Sequence, residues 1–456
     1  MSGVPSAVRH ATAAGTAAER DERETADRLA AQGAWIALLR GTFEPGRAAL
    51  TARQWSYLAE EGIRHQLSGV TYRLLADGSW ANETPDTVLA RLRSLYVGTA
   101  TRNALYFRQT SKVIKVLASR GIPVMLLKGI HLARFTYHEP GLRSMADVDI
   151  MVRREHLAET EQVFLDQGYG PRPRPNLEEF CSWSNHLAKL TKEGAPVVEV
   201  HWGVERPTSP FRIDVEGLWE RSQSATLDGA PVELLGVEDL LLHLVLHCSY
   251  HHRFDRSALK GMADIHAVVL KHESEINWHT VADRAASWGA SGFTYTTLRL
   301  NSGILGTPVP EFLFRALPHE RKDEELVDVV RRYILLPELE LPKVYVKLAH
   351  STGVKERATL LFRSVFLPRR KMKEIYGHRA TTPMIYGYYG LRLASLLIKR
   401  GSLPLRALFR TRAMRAPIDR EEDRLRIERW VGDLPGAKRE EALVAGRGSG
   451  GLTVEG

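Results

Sequence analysis

The sequence predicts an α+β protein, in which a few short strands between residues 121 and 205 are set among helical segments on both sides. Two observations place the strands. The apolar run 122–127 ends at Lys128-Gly129, and an alternating run follows with Asp147 and Asp149 two residues apart. A third places the helices: apolar residues recur at three- and four-residue steps up to residue 120 and again from 236 onward.

In chain order, residues 1–30 are rich in Ala, Arg, Glu and Thr with no apolar segment, which predicts an unstructured lead and neither a secretory signal nor a membrane span. Residues 31–120 read as a helical module. Trp55, Leu58, Ile63, Leu67, Val70, Leu74 and Leu75 make one stripe, and Asp77-Gly78-Ser79 breaks it. A longer helix over 85–120 follows, with Leu89, Leu92, Tyr96, Leu105, Val113, Ile114 and Leu117 as its buried face and Gly121 as its stop.

The core spans 121–205. Gly129 is expected to permit a sharp turn from strand into helix. In the strand that follows, Asp147 and Asp149 point to one face and Val148, Ile150 and Val152 to the other. Two adjacent carboxylates repel, and a divalent cation relieves that conflict. A helix over 154–167 and a Pro-rich loop over 171–175 lead to two strand-like runs, 186–191 and 197–202, joined as a hairpin. In the second run Glu199 and His201 share a face opposite Val198, Val200 and Trp202.

These blocks, Leu127-Lys128-Gly129, then Arg143 to Val152, then Val198-Glu199-Val200-His201-Trp202, resemble the uncharacterised bacterial nucleotidyltransferases of the DNA polymerase beta-like superfamily. The resemblance implies a small mixed-sheet core flanked by helical segments. It also implies an enzyme that moves a nucleoside monophosphate from a nucleoside triphosphate, ATP, to an acceptor by two-metal catalysis with Mg2+. On that reading Asp147, Asp149 and Glu199 are the catalytic and metal-binding carboxylates. Lys128, Gly129, Arg143 and His201 line the nucleotide. The turn departs from the superfamily in having Ile130 after Gly129 where Gly or Ser is usual, and the gap to Asp147 is longer.

Residues 206–335 read as a helical domain. It carries His243 and His247 four residues apart, then His251 and His252, with Asp264 and His266 beyond. A metal site and a polar seam lining the cleft are both open readings, but the zinc-protease glutamate is lacking, and plain buried histidines are favoured. Residues 336–435 read as a basic helical region and 436–456 as a flexible tail. Between 343 and 415 there are 17 Lys and Arg against Glu356 and Glu374, a local excess larger than the +9 of the whole chain. It suits a polyanion, and Arg369, Arg370, Lys371 and Lys373 are its expected centre. The apolar run 384–398 is too short to span a bilayer, which takes about 20 residues.

Two cysteines, Cys181 and Cys248, are too few for a disulfide framework, which together with the lead predicts a cytoplasmic protein. The acceptor, whether small molecule, peptide or protein, is not written in the sequence, because fold does not dictate substrate. Two alternatives stand beside the enzyme: a non-catalytic nucleotide- or polyanion-binding module of the same fold, and an RNA- or DNA-modifying transferase. Charge favours the second of these, but no recognised RNA-binding motif supports it.

Overall fold

The computed structural model describes residues 17–42, 50–77, 80–171, 176–335, 351, 353–368, 371–372, 385–400 and 412–433. These fall into two compact units, with boundaries at Val327/Asp328 and Trp430/Val431. The first unit holds the sheet and the three sequence blocks described above in one mixed α/β body. Helices α1 (Ala17–Leu39), α2 (Ala52–Arg64), α3 (Ser68–Ala76) and α4 (Asp86–Ser119) precede the sheet. The lead expected to lack structure is therefore helical from Ala17, because its Ala and Glu residues favour helix even without an apolar stripe. The stripe over 54–75 is split in two at Gln66, which takes a φ of 58°. Leu105 of α4 is exposed, and the buried face runs instead through Val88, Leu92, Thr99, Asn103, Phe107 and Ile114.

Strand β1 (Met125–Leu126) enters the short helix α5 (Lys128–His131), which widens into a π-helical turn over Leu132–Thr136. Then come β2 (Asp147–Met151), α6 (Leu157–Asp166), β3 (Gly170–Pro171), α7 (Leu177–Cys181), β4 (Leu190–Thr191) and β5 (Val197–His201). Pro171, placed in a loop by the sequence pattern, ends β3 at the sheet edge, where its missing donor costs nothing.

The sheet does not stop at residue 205. After α8 (Val215–Glu220), β6 (Gln223–Leu227) and β7 (Ala230–Leu234) form a hairpin, and β7 runs parallel to β1. The full order is β3-β4-β5-β2-β1-β7-β6, a seven-stranded mixed sheet. Periodicity did not reveal this hairpin because its outer strand is mostly exposed and carries no apolar alternation.

One face of the sheet carries the hydrophobic core. Val148, Ile150, Val198, Val200 and Trp202 pack with Ile114 and Leu117 of α4 and with Val163 and Phe164 of α6. Helices α9 (Val237–Leu246), α10 (Ala258–Lys271), α11 (Trp278–Trp288), α12 (Ser291–Leu305) and α13 (Glu311–Ala316) follow the sheet, with a second π-helical turn at His247–His251 directly after α9. Helix α14 (Arg321–Leu335) leads into the second unit, which holds α15 (Val354–Val365), α16 (Ile385–Arg400) and most of α17 (Arg412–Gly432). Within that unit Arg332 donates to Asp423 at 2.9 and 3.2 Å. Among the described residues no helix is long and apolar enough to cross a membrane. Of the expected basic centre, Arg369, Arg370 and Lys373 lie outside the described residues, as does the tail 436–456.

Candidate active site

The site forms on the sheet face opposite the core, where β2 and β5 lie parallel with Asp149 paired to Glu199 and Met151 to His201. In-register residues on neighbouring strands are about 5 Å apart, so the fold forces the Asp149 and Glu199 carboxylates together. Asp149 is 5% exposed, Glu199 9% and His201 2%. Burying two like charges this close is unfavourable unless cations or donors meet them.

Three side chains meet them, and a fourth holds one of the three. Lys128 Nζ lies 3.1 Å from Asp149 Oδ1. His201 Nε2 is 2.9 Å from the same oxygen and 3.6 Å from Glu199 Oε2. Lys189 Nζ lies 2.5 Å from Glu199 Oε1 and 3.9 Å from Asp147 Oδ2, bridging the two. Asn185, whose amide donates to Gly203 O at 3.1 Å, sits 3.4 Å from His201 Nδ1 and faces it with the same NH2 group. That arrangement makes Nδ1 the accepting nitrogen and leaves an Nε2–H donated to Asp149.

The electrostatics divide the carboxylates. Burial pushes the Asp149 carboxyl up, but Lys128 and His201 outweigh it and hold it well below the usual carboxylate range. Burial likewise opposes ionisation of Glu199, and the nearby His201 ring and the ion pair with Lys189 bring it down to about 2. Asp147, at the more open end of β2, goes the other way: burial and the charges of Asp149 and Glu199 raise it, with only partial relief from the two lysines. Desolvation works against the Lys128 ammonium, but Asp149 keeps it above its ordinary value.

Backbone geometry sets Lys128. It is Lys128, not Gly129, that takes the left-handed turn, with a φ of 43°. A positive φ on a lysine is costly and persists only where surroundings hold it, here through Leu127 N donating to Asp149 O at 3.1 Å and the ion pair to Asp149. Gly129 serves close packing instead: a Cβ there would stand 3.3 Å from Met145 Cγ.

The sequence-derived residues are thus placed as follows. Lys128, Asp149, Glu199 and His201 converge. Asp147 flanks them, joined through Lys189. Arg143 is engaged elsewhere: it is largely covered and forks onto Asp264 of α10 at 2.8 to 3.0 Å, an aspartate that also accepts from the Tyr137 hydroxyl at 3.0 Å. Asp149, Glu199 and His201 offer ligand atoms within 4.8 Å of one another, a set able to hold a metal ion. Asp147 is outside that group.

Lys189 was not singled out by sequence reasoning, and Asp264 was named only with the histidines of a candidate metal site or polar seam, not as the partner of Arg143. Lys189 owes its position to a bulge. His186 pairs with His201, yet Leu190 pairs with Val198, so one extra residue lies between them. Leu187 and Leu190 both reach the core in consequence, while Lys189 turns to the carboxylates. Simple alternation would put Leu187 and Lys189 on one face.

Comparison with known proteins agrees with this description. No curated protein matches the chain. Among solved structures, the crystal structure of an antigenic nucleotidyltransferase-like protein from Paracoccidioides brasiliensis is similar at 17% identity, covering 48% of this chain and 95% of that one. Its TM-score of 0.31 is too low to bear on the fold. The model of a family described as uncharacterised nucleotidyltransferase matches residues 51–306, a span that includes every residue of the site and more than half of the chain, and the protein belongs to that family.

Proposed function

We propose that the protein transfers a nucleoside monophosphate from a nucleoside triphosphate, ATP, to an acceptor oxygen, with Mg2+ held by Asp149 and Glu199 and with Asp147, at the edge of that group, completing the carboxylate set. The observation that carries this reading is the in-register pairing of Asp149 with Glu199 on a buried sheet face, beside a third carboxylate whose ionisation is opposed by the other two. Such a group favours a cation, and the oxygen donors suit a hard ion such as Mg2+. A bound divalent ion would supply Lewis-acid stabilisation of charge on the reacting phosphate.

The remaining work belongs to the chain. Asp149 is held ionised and oriented by His201, whose ring is in turn fixed by Asn185, so His201 acts as a positioning residue. Glu199 is ionised at neutral pH and faces the acceptor side as an anionic ligand, since a carboxyl held near 2 is a weak base toward a hydroxyl. Lys128 and Lys189 are cations at the same face, matched to the charge that gathers on the leaving phosphates once a metal takes over their present partners. Arg143 supports the site from behind by holding α10 to the loop that leads into β2.

Equilibrium binding of ATP with and without Mg2+, together with pyrophosphate release over a panel of hydroxyl acceptors, tests the reading. Asp149→Asn and Glu199→Gln should each weaken Mg2+-dependent ATP binding by more than about 10-fold, the lower end of what outer-shell partners of a metal give. Full Mg2+-dependent binding in Asp149→Asn would refute it. One observation favours a second reading, the non-catalytic binding module: Lys128 and Lys189 pair with Asp149 and Glu199 and give them counter-charges from the chain itself. ATP binding that is indifferent to EDTA, with no pyrophosphate released, would select that module.

A further inference from the structure

Beyond the carboxylates, α9 and the π-helical turn after it carry four histidines whose arrangement the transfer chemistry has not used. His243, His247 and His251 follow one another at four-residue steps, with ring centroids 6.3 and 6.0 Å apart. In an unbroken α-helix, His252 would lie about 140° round the axis from His247. The π-helical turn, closed by His252 N donating to His247 O at 3.1 Å, brings it back so that its ring lies 4.5 Å from that of His247. Single π-helical turns of this kind are frequent at functional sites.

The strip lies beside the catalytic face. Lys128, His201 and Asp149 are near enough for their charges to act on His243. Glu205, four residues beyond His201, closes the far end by pairing with His251 at 2.7 Å.

Two buried polar atoms of the strip have no hydrogen-bond partner among the described residues: Nε2 of His243, a residue 2% exposed, and Oε2 of Glu205, whose side chain is 4% exposed. Each such atom costs the desolvation of its group, and a ligand hydroxyl reaching the strip would supply the missing partner.

Resting on the transferase reading above, we propose that His243, His247, His251 and Glu205 form the acceptor-binding wall of the site and take an uncharged, hydroxyl-bearing acceptor of the polyol class. A hydroxyl both donates and accepts, as a neutral imidazole does, and its proton satisfies a carboxylate oxygen such as Glu205 Oε2. A phosphorylated acceptor fits poorly. None of the four residues is a lysine or arginine, Glu205 repels an anion, and burial, reinforced by Lys128, keeps His243 and His247 in the neutral form.

The test uses the full-length protein with ring-labelled histidine, followed by NMR, with myo-inositol as the uncharged probe and glycerol 3-phosphate as the anionic one. Myo-inositol should shift the His243 ring signals. His243→Phe and Glu205→Gln should each weaken its affinity at least tenfold, with Mg2+–ATP affinity changed less than twofold. His243→Phe should also unfold at or above the wild-type temperature, because the unpartnered nitrogen is gone, and Glu205→Gln serves should that variant not fold. The proposal is overturned if myo-inositol leaves the His243 signals in place, if glycerol 3-phosphate binds more tightly, or if both variants bind the polyol as the wild type does. Loss of Mg2+–ATP binding in step with polyol binding would assign the strip to the nucleotide and overturn the proposal while sparing the transferase reading. Failure of the transferase reading would instead appear as full Mg2+-dependent ATP binding in Asp149→Asn.

Discussion

Asp147 and Asp149 stand two residues apart on one strand face, yet the same substitution should move stability in opposite directions at the two positions. Asp149 is the partner of a lysine that is 18% exposed and of a buried histidine, so Asp149→Asn leaves the Lys128 ammonium without a counter-charge. Breaking a buried pair in this way costs about 3–5 kcal/mol. Repulsion between two neighbouring aspartates, taken by itself, would have either Asn relieve them. That expectation applies to Asp147, whose carboxyl is raised by burial and by its two neighbours, and Asp147→Asn should raise the unfolding midpoint of the metal-free protein at pH 7. Urea titrations of both variants in EDTA check the pair.

The signs for pH follow from the same groups. Asp149 and Glu199 are depressed, so their contribution is complete above the ordinary carboxylate values of about 3.9 and 4.3 and is lost as pH falls below them, for Glu199 through about 2. Lys128 is raised, and its contribution persists up to about pH 10.4 and fades above. Asp147 opposes the trend by gaining its proton early. Unfolding measured in EDTA between pH 5 and pH 2 should lose stability steeply in the wild type and less steeply in Glu199→Gln.

At the level of elements, the helices before the sheet hold the loop that delivers Asp147. Asn103 of α4 donates to Pro140 O and Arg143 O, both at 2.7 Å, and the Tyr96 hydroxyl donates to Glu139 at 2.7 Å. Gly69 of α3 lies so close to this loop that a Cβ would stand 2.1 Å from Gly141 O, a backbone atom that cannot swing aside. Gly69→Ala should therefore destabilise by at least about 1–3 kcal/mol, the range for overpacking. Gly98, on the exposed side of α4 with nothing within 4 Å of an added Cβ, predicts the opposite. Gly98→Ala should gain about 0.5–1 kcal/mol through helix propensity. Urea midpoints of the two variants, read against wild type, decide both.

At the scale of the whole chain, the +9 charge is concentrated between 343 and 415. Replacing Arg369, Arg370, Lys371 and Lys373 with Glu should weaken binding to single-stranded DNA or tRNA at low salt, where exposed charges act over the longest range. Unchanged retardation in a gel at about 50 mM salt would remove the polyanion partner from consideration.

Alternation along a strand is a local property with a period of two, which is why the sequence by itself determined that Asp147 shares a face with Asp149, and Glu199 with His201. The same period placed Val148, Ile150, Val198 and Val200 against the core, and the three blocks in order indicated the family. What no local pattern contains is register between segments far apart in the chain. Only the parallel pairing of β2 with β5 set Asp149 beside Glu199, only a one-residue bulge aimed Lys189 at both carboxylates, and only the packing of α10 gave Arg143 to Asp264. The hairpin β6–β7 was hidden for a related reason: its exposed outer strand is stabilised by the neighbour it pairs with, and that neighbour joins the sheet through β1, more than a hundred residues earlier.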